Sequence, residues 1–290
     1  MPELPEVITT VSLIKKKIVN HKITEIWIDK KTKTENLTKI SFKNNLKNRK
    51  IINIGNIGKY ILINLDNLTT LIIHQKISGH LLFSKFIRTD NLWKNPKKSS
   101  LINDPNNHFI RFGLKFKGNQ WLVLSDARRL ARITLVQTSQ IYSIKPIKQM
   151  GLNPLSPEWT FLNFKNKLLK HNINIKKALL MQNIVSGLGN IYSDEVLFKS
   201  KIHPQRNIQN LNEKELKNLF KYIPLILNQS LKYHGTTFNT YRNPDGNSGS
   251  FINFLNVYQR KNRACKICKH SIQSIKINGR SSYFCKYCQK

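Results

Sequence analysis

The sequence predicts an α+β protein of several domains: an N-terminal helix, an antiparallel β-sandwich or barrel, a mostly helical segment and a small cysteine-bound hairpin. Three observations carry this. Apolar residues recur at helical spacing over residues 5–19. Between residues 23 and 138 the pattern changes to short runs rich in Ile, Leu and Val, separated by turn formers. Beyond about residue 155 the helical period returns, and the chain finishes with two CxxC pairs. At 290 residues there is enough chain for about two hydrophobic cores.

In the first segment Pro5 suits the opening turn of a helix and Glu6 suits its positive end. Val7, Val11, Ile14 and Ile18 form the buried stripe, with Lys15, Lys16 and Lys17 around it. The predicted strands are 23–28, 51–54, 60–65, 70–74, 80–86, 109–116, 120–125 and 132–138, with turns at Gly55, Gly58, Asp66-Asn67 and Gly118-Asn119. Residues 88–107 are polar, contain two prolines and read as a mobile insertion loop. A connector spans 139–155, with Lys145-Pro146, Gly151 and Pro154. Helices are predicted over 163–171, 175–182, 189–200 and 212–234, the last with Asn212 as N-cap and Glu215 three residues on. The expected division is 1–138, a linker 139–155, a helical domain 156–250 and a finger 251–290, with no internal repeat.

The formal charge is +34, from 49 Lys+Arg against 15 Asp+Glu. Such a balance points to a polyanionic partner, because neutralising phosphates releases counterions and supplies most non-specific nucleic-acid affinity. The abundance of Lys, Asn and Ile, all with AT-rich codons, accounts for part of the excess. No apolar run approaches the ~18 residues of a membrane span. The acidic N-terminus lacks the apolar core of a secretory signal, so a cytoplasmic enzyme is expected.

All four cysteines fall in the last 26 residues, as Cys265-x2-Cys268, sixteen residues, then Cys285-x2-Cys288. This is zinc-ribbon spacing; four thiolates close a tetrahedral site with no open position, so one structural zinc is expected rather than a catalytic one. Its binding energy would fold a segment too small for its own core. Between the pairs, 274–277 and 282–284 read as strands joined by Asn278-Gly279. Arg280 then sits at the hairpin tip, suited to a phosphate or a minor groove.

The start, Met1-Pro2-Glu3-Leu4-Pro5-Glu6-Val7, has chemistry of its own. Removing Met1, which a small second residue favours, would leave a secondary amine beside one carboxylate and near a second. An α-amino group has a pKa of roughly 7.7–8.0, so a usable fraction is unprotonated near neutrality. A secondary amine joined to an aldehyde-level carbon gives a cationic iminium, a strong electron sink.

The string MPELPEV resembles the start of the formamidopyrimidine-DNA glycosylase family, bacterial enzymes that excise oxidised purines. The resemblance extends to Gly187-Leu188-Gly189-Asn190-Ile191-Tyr192-Ser193-Asp194-Glu195, similar to the family's helix-two-turn-helix signature, and to the cysteine finger. It implies an N-terminal helix plus β-sandwich, a helix-two-turn-helix domain and a zinc-ribbon hairpin. By that resemblance Pro2 is the nucleophile that attacks sugar C1′, and Glu3 protonates the sugar ring oxygen. Glu6 orients the N-terminus, or equally stabilises the first helical turn. Lys59 and Arg280 assist departing phosphates. His74 and His108 contact phosphate, Asn190 binds phosphate at a helix start, and Arg128 enters the space left by the flipped base. Ile77 and Leu130 stand where the family has a methionine and a phenylalanine beside that arginine. Further departures are Ala127 in place of proline, Met181 in place of an acid and Asn239 at an often basic position; they bear on lesion preference. The implied partner is double-stranded DNA containing oxidised bases, bound by a monomer with no organic cofactor. The implied activities are base excision and abasic-site lyase. An endonuclease VIII-type enzyme for oxidised pyrimidines, and a DNA-binding relative without catalysis, are the competing readings.

Overall fold

A computed structural model describes residues 1–32, 34–89, 92–94, 101 and 104–290. These cluster into two compact units, residues 1–148 with 233–250, and residues 149–232 with 251–290.

The first unit opens with α1 (Leu4–Ile18). Its strands are β1 (Glu25–Ile28), β2 (Thr34–Glu35), β3 (Ile51–Ile57), β4 (Tyr60–Leu65), β5 (Thr69–His74), β6 (His80–Lys85), β7 (Ile87–Thr89), β8 (Leu92–Lys94), β9 (Ile110–Phe116), β10 (Gln120–Ser125) and β11 (Arg132–Gln137). They build a four-stranded sheet, β1-β9-β10-β6, and a five-stranded sheet, β2-β11-β5-β4-β3. All pairings are antiparallel except that of β2 with β11.

Alternate residues of both sheets enter one core. Leu81, Phe112, Leu114, Leu122 and Leu124 come from one sheet, Ile61, Ile63, Leu71, Ile73 and Ile133 from the other, and Val7, Val11, Ile14 and Ile18 from α1. This is sandwich packing by two-residue periodicity. The intervening residues are buried too. Leu62 and Ile72 pack with Ile141 and Ile147, and Leu82 and Val123 pack with Phe86 and Trp121. Cover on the outer faces explains why these strands read as continuous apolar runs rather than alternating ones.

Four features differ from the sequence reading. First, α2 (Lys39–Leu46) interrupts the predicted strand region, capped by Thr38 Oγ1 accepting from the Ser41 amide at 3.2 Å; it buries only Phe42 and Leu46, so its apolar signal is one turn long. Second, part of the predicted loop 88–107 is ordered: β7 pairs with β8, Leu101 is buried with Phe86 and Trp121, and Pro105–His108 form a 3-10 turn capped by Asp104; the rest of that loop lies outside the described residues. Third, the predicted connector holds a 3-10 helix (Thr138–Ser143) and α3 (Lys145–Lys148), whose Ile141 and Ile147 cover the five-stranded sheet. Fourth, residues 233–250, expected within the helical domain, cluster with the first unit. The Phe83 amide donates to Pro244 O at 2.8 Å, and the segment carries no apolar periodicity that would signal its destination.

The second unit comprises α4 (Phe161–Leu169), α5 (Ile175–Leu180), α6 (Asn190–Ser200), α7 (Glu213–Lys232) and the hairpin β12 (Gln273–Ile277)–β13 (Arg280–Phe284). Thr160 and Asn174 cap α4 and α5 by accepting backbone amides at 3.2 and 2.8 Å. Asn212 and Glu215 form the predicted reciprocal capping box of α7. The hairpin turns on Asn278 and Gly279, both left-handed with φ of 48° and 71°, the geometry that selects Asn-Gly.

Candidate active site

In the first unit the N-terminus is held by the start of α1. The Glu3 amide donates to Glu6 Oε2 at 2.7 Å, tying the residue beside Pro2 to the first helical turn. The other Glu6 oxygen, Oε1, accepts the Thr236 amide at 2.7 Å, and Tyr241 Oη donates to Glu6 O at 3.2 Å. Glu6 thus joins the N-terminus to the returning loop 235–241. Gly235, with φ +88°, passes so close that a Cβ there would lie 2.7 Å from Glu6 Oε1. Pro2 is buried, Met1 is half-exposed, and Glu3, Glu6 and Lys59 are each 5% exposed or less.

Lys59 enters β4 directly after Gly58, which takes φ +52° in the β3–β4 turn. Burial pushes the Met1 α-amino group below its ordinary 8.0; Glu3 and Glu6 oppose that shift and Lys59 reinforces it. The amine, both carboxylates and the lysine therefore share one electrostatic neighbourhood. His74, at the end of β5, is driven down to about 3 by burial and by the nearby Lys76 and Lys59 charges. Its Nδ1 accepts the Lys76 amide at 3.0 Å, so the ring is neutral and carries its proton on Nε2.

Ile77 and Leu130 are about two-fifths exposed, at 43% and 40%, and Arg128 and His108 are exposed. Ile77 lies in the loop from β5 to β6; Arg128 and Leu130 lie in the loop from β10 to β11. His108 ends the 3-10 turn and lines a cavity of about 790 Å³ with Trp27, Trp93 and Arg111; Glu3, Glu6 and Lys59 are not among the described residues that line it.

In the second unit Asn190 begins α6 and donates through Nδ2 to Ser281 O at 2.8 Å, beside Arg280 at the exposed start of β13. Asp194, fully buried, accepts from Tyr283 N at 2.9 Å, Ser282 Oγ at 2.7 Å and Lys176 Nζ at 2.6 Å. Glu195 accepts the amides of Asn256, Val257 and Tyr258 at 2.8–3.0 Å. These two acids fasten α6 to the hairpin and to the segment entering it. The four cysteine Sγ atoms lie within 4.8 Å of one another, with Cys265–Cys288 at 3.9 Å and Cys268–Cys285 at 3.4 Å. Four sulfurs at that separation fit a tetrahedral zinc, whose Zn–S distance of about 2.3 Å requires sulfurs somewhat under 4 Å apart. Phe198 and Val257 pack beneath Cys265 and Cys285.

Residues 1–133 match the formamidopyrimidine-DNA glycosylase N-terminal domain, residues 150–242 its H2TH domain, and residues 264–290 the zinc finger found in FPG and IleRS. The chain belongs to the formamidopyrimidine-DNA glycosylase family. It is 34% identical to the formamidopyrimidine-DNA glycosylase of Desulforamulus reducens and 33% identical to that of Pelotomaculum thermopropionicum, each alignment covering 100% of this chain and 99% of the relative. Among solved structures, a Lactococcus lactis FPG variant in complex with Fapy-dG DNA aligns over 100% of both chains at TM-score 0.86 and 30% identity. The same enzyme with abasic-site DNA aligns over 99% of both at 0.85 and 30%. As a member of this family the chain carries a zinc finger, and its cysteine cluster holds one structural zinc. None of the described helices is long and apolar enough to cross a membrane.

Several site-building contacts of this glycosylase-family chain escaped sequence reasoning. Thr236 and Tyr241 meet Glu6 across 230 or more residues, and Lys176 meets Asp194 between two helices. The signal available was the placement of Lys176 and Asp194 at helical positions facing a core, where an uncompensated charge is costly.

Proposed function

We propose that the chain is a base excision repair enzyme that flips oxidised purines out of duplex DNA, excises them through Pro2 and nicks the abasic site. The reading rests on one observation: Pro2, Glu3, Glu6 and Lys59 are all buried, and the Met1 amine joined to Pro2 feels both carboxylates and the lysine. After removal of Met1, the Pro2 nitrogen attacks sugar C1′ as the bond from C1′ to the base breaks. Glu3 protonates the ring oxygen, the ring opens, and the nitrogen lone pair forms an iminium. The iminium acidifies the C2′ proton, so the 3′ phosphate leaves by β-elimination and the 5′ phosphate follows by δ-elimination. Lys59 supplies positive charge to a leaving phosphate, as Arg280 does from the second unit. His74 offers a neutral N–H, and Asn190 sits at the start of α6 where phosphate is favoured. Ile77, Arg128 and Leu130 fill the vacated stack, and His108 contacts backbone. The enzyme acts as a monomer in the cytoplasm, with residues 156–232 and the finger gripping the duplex. Zinc closes the finger fold and takes no part in the chemistry.

Borohydride trapping tests this. Protein whose mass confirms an N-terminal proline is expected to form a covalent adduct with abasic and 8-oxoguanine duplexes, and Pro2→Gly to lose most of it. A neighbour was solved with DNA containing an oxidised pyrimidine, so that lesion belongs in the panel. Absence of any adduct, or undiminished cleavage by protein that retains Met1, overturns the assignment of Pro2.

A further inference from the structure

The loops bearing Ile77, Arg128 and Leu130 are both crossings between the two sheets. One leads from β5 in the five-stranded sheet to β6 in the four-stranded sheet, and the other returns from β10 to β11. Strand register brings their ends together: Ser125 pairs with His80 and Arg132 with His74. Between them lies a buried polar contact. Ser78 is 2% exposed and Asp126 is 1% exposed. Ser78 Oγ donates to Asp126 Oδ1 and accepts the Arg128 amide at 3.2 Å. Asp126 Oδ1 also accepts the Arg128 amide at 3.2 Å, while Oδ2 accepts the Ala131 amide at 2.7 Å. One carboxylate therefore binds the beginning and the end of its own loop, and one hydroxyl stitches that loop to the other.

The backbones are also in close contact. Gly79 donates to Gln75 O at 3.0 Å. A Cβ at Gly79 would stand 2.3 Å from that oxygen and 3.2 Å from Ala131 Cβ. The place beside Ser78 is thus closed to any side chain, and the two loops meet there, backbone against Ala131.

We infer that Ser78 and Asp126 form a clamp that makes the two wedge-bearing loops one rigid element, so that both are positioning residues for duplex opening. The inference rests on the excision reading above, in which Ile77, Arg128 and Leu130 enter the base stack. Neither residue touches the reacting sugar; they act by keeping three wedge side chains in register. A buried carboxylate that loses a hydrogen-bond donor is costly, so neither loop shifts alone.

Hydrogen exchange followed by mass spectrometry, on peptides covering 75–79 and 126–131, reads the clamp without depending on activity. Ser78→Ala and Asp126→Asn are each expected to speed exchange in both loops by about tenfold. The double variant is expected to resemble the single ones, because the contact is shared, and Ser78→Thr to restore protection. In single-turnover assays Ser78→Ala is expected to slow excision from an 8-oxoguanine duplex by about tenfold. Cleavage of a single-stranded abasic site, which has no stack to fill, is expected to stay within about twofold. Exchange rising only in the mutated loop, additive single effects, or equal losses on both substrates would overturn the clamp. If the wild-type chain failed to excise 8-oxoguanine, the excision reading would fall, and reciprocal exchange would still decide the coupling.

Discussion

Lys176→Met tests how the second unit holds its hairpin. Lys176 and Asp194 are both 0% exposed and their ion pair spans 2.6 Å. The lysine also donates to Asn190 O at 3.1 Å and Ser193 Oγ at 2.6 Å. Methionine keeps the apolar stem and removes the charge. Asp194 then retains Ser282 Oγ and Tyr283 N but loses its cation. Breaking one partner of a buried pair costs about 3–5 kcal/mol, which for a unit of this size corresponds to a midpoint lowered by roughly 10–20 °C. The cost carries a pH signature. Burial pushes the Asp194 carboxyl above its ordinary 3.8, and Lys176 opposes that shift. An acid whose folded pKa is raised binds its proton more tightly when folded. The penalty is therefore absent below about 3.8 and grows as pH rises through the folded-state value. Without Lys176 the folded-state value moves further up, so the penalty continues to grow to higher pH and is larger there, and acid partly rescues the variant. Trp159 reports on this unit by stacking on Phe220 at 5.6 Å and 12°, and the other three tryptophans, Trp27, Trp93 and Trp121, belong to the first unit. Fluorotryptophan labelling with ¹⁹F NMR follows each unit separately during heating. A Lys176→Met midpoint for Trp159 within about 3 °C of wild type, or stability that worsens on acidification, would refute this account.

Other outcomes follow from the same contacts. The rate of borohydride trapping is expected to rise with pH as the Pro2 amine, buried beside Glu3, Glu6 and Lys59, loses its proton; Lys59→Met should move the midpoint upward and Glu3→Gln downward, and a midpoint that neither substitution moves contradicts the buried cluster. His74 should stay neutral with its proton on Nε2 from pH 5 to 9, since its value is pushed down to about 3; an imidazole ¹⁵N titration centred near 6.5 counts against it. Metal analysis should find one zinc per chain, and Cys285→Ser should lose it and destabilise the Trp159 signal while leaving the three first-unit tryptophans unchanged. Gly235→Ala places a Cβ 2.7 Å from Glu6 Oε1 at a φ of +88°, and should cost the first unit about 1–3 kcal/mol with weaker lesion excision; a variant as stable as wild type rejects the described packing.

Local signals made much of this molecule legible. The strands from β3 to β6 and from β9 to β11 announced themselves as apolar runs bounded by Gly, Asn and Asp, because covered sheets bury both faces. Asn278-Gly279 fixed the finger hairpin because its turn needs two left-handed residues. The cysteine spacing was sufficient for the metal cluster. What escaped had no local signature. The two-residue β2 exists only through its parallel pairing with β11. Glu6 read equally as a helix-start acid, and its contact with Thr236 depends on a loop that returns 230 residues later. Ser78 and Asp126 are ordinary turn residues in sequence; their 48-residue separation closes only when both sheets are in place.

The return of residues 233–250 to the first unit bears on how the polypeptide matures. As the chain emerges from a ribosome, its first unit cannot be completed when residue 148 appears. Glu6 still waits for Thr236, the Phe83 amide for Pro244, and Asp104 for Arg242. The helices of the second unit are synthesised before the first has closed. The nascent N-terminal half therefore spends the translation time of some eighty further residues with an unfinished edge, and a fragment ending at 148 would stay in that unfinished condition.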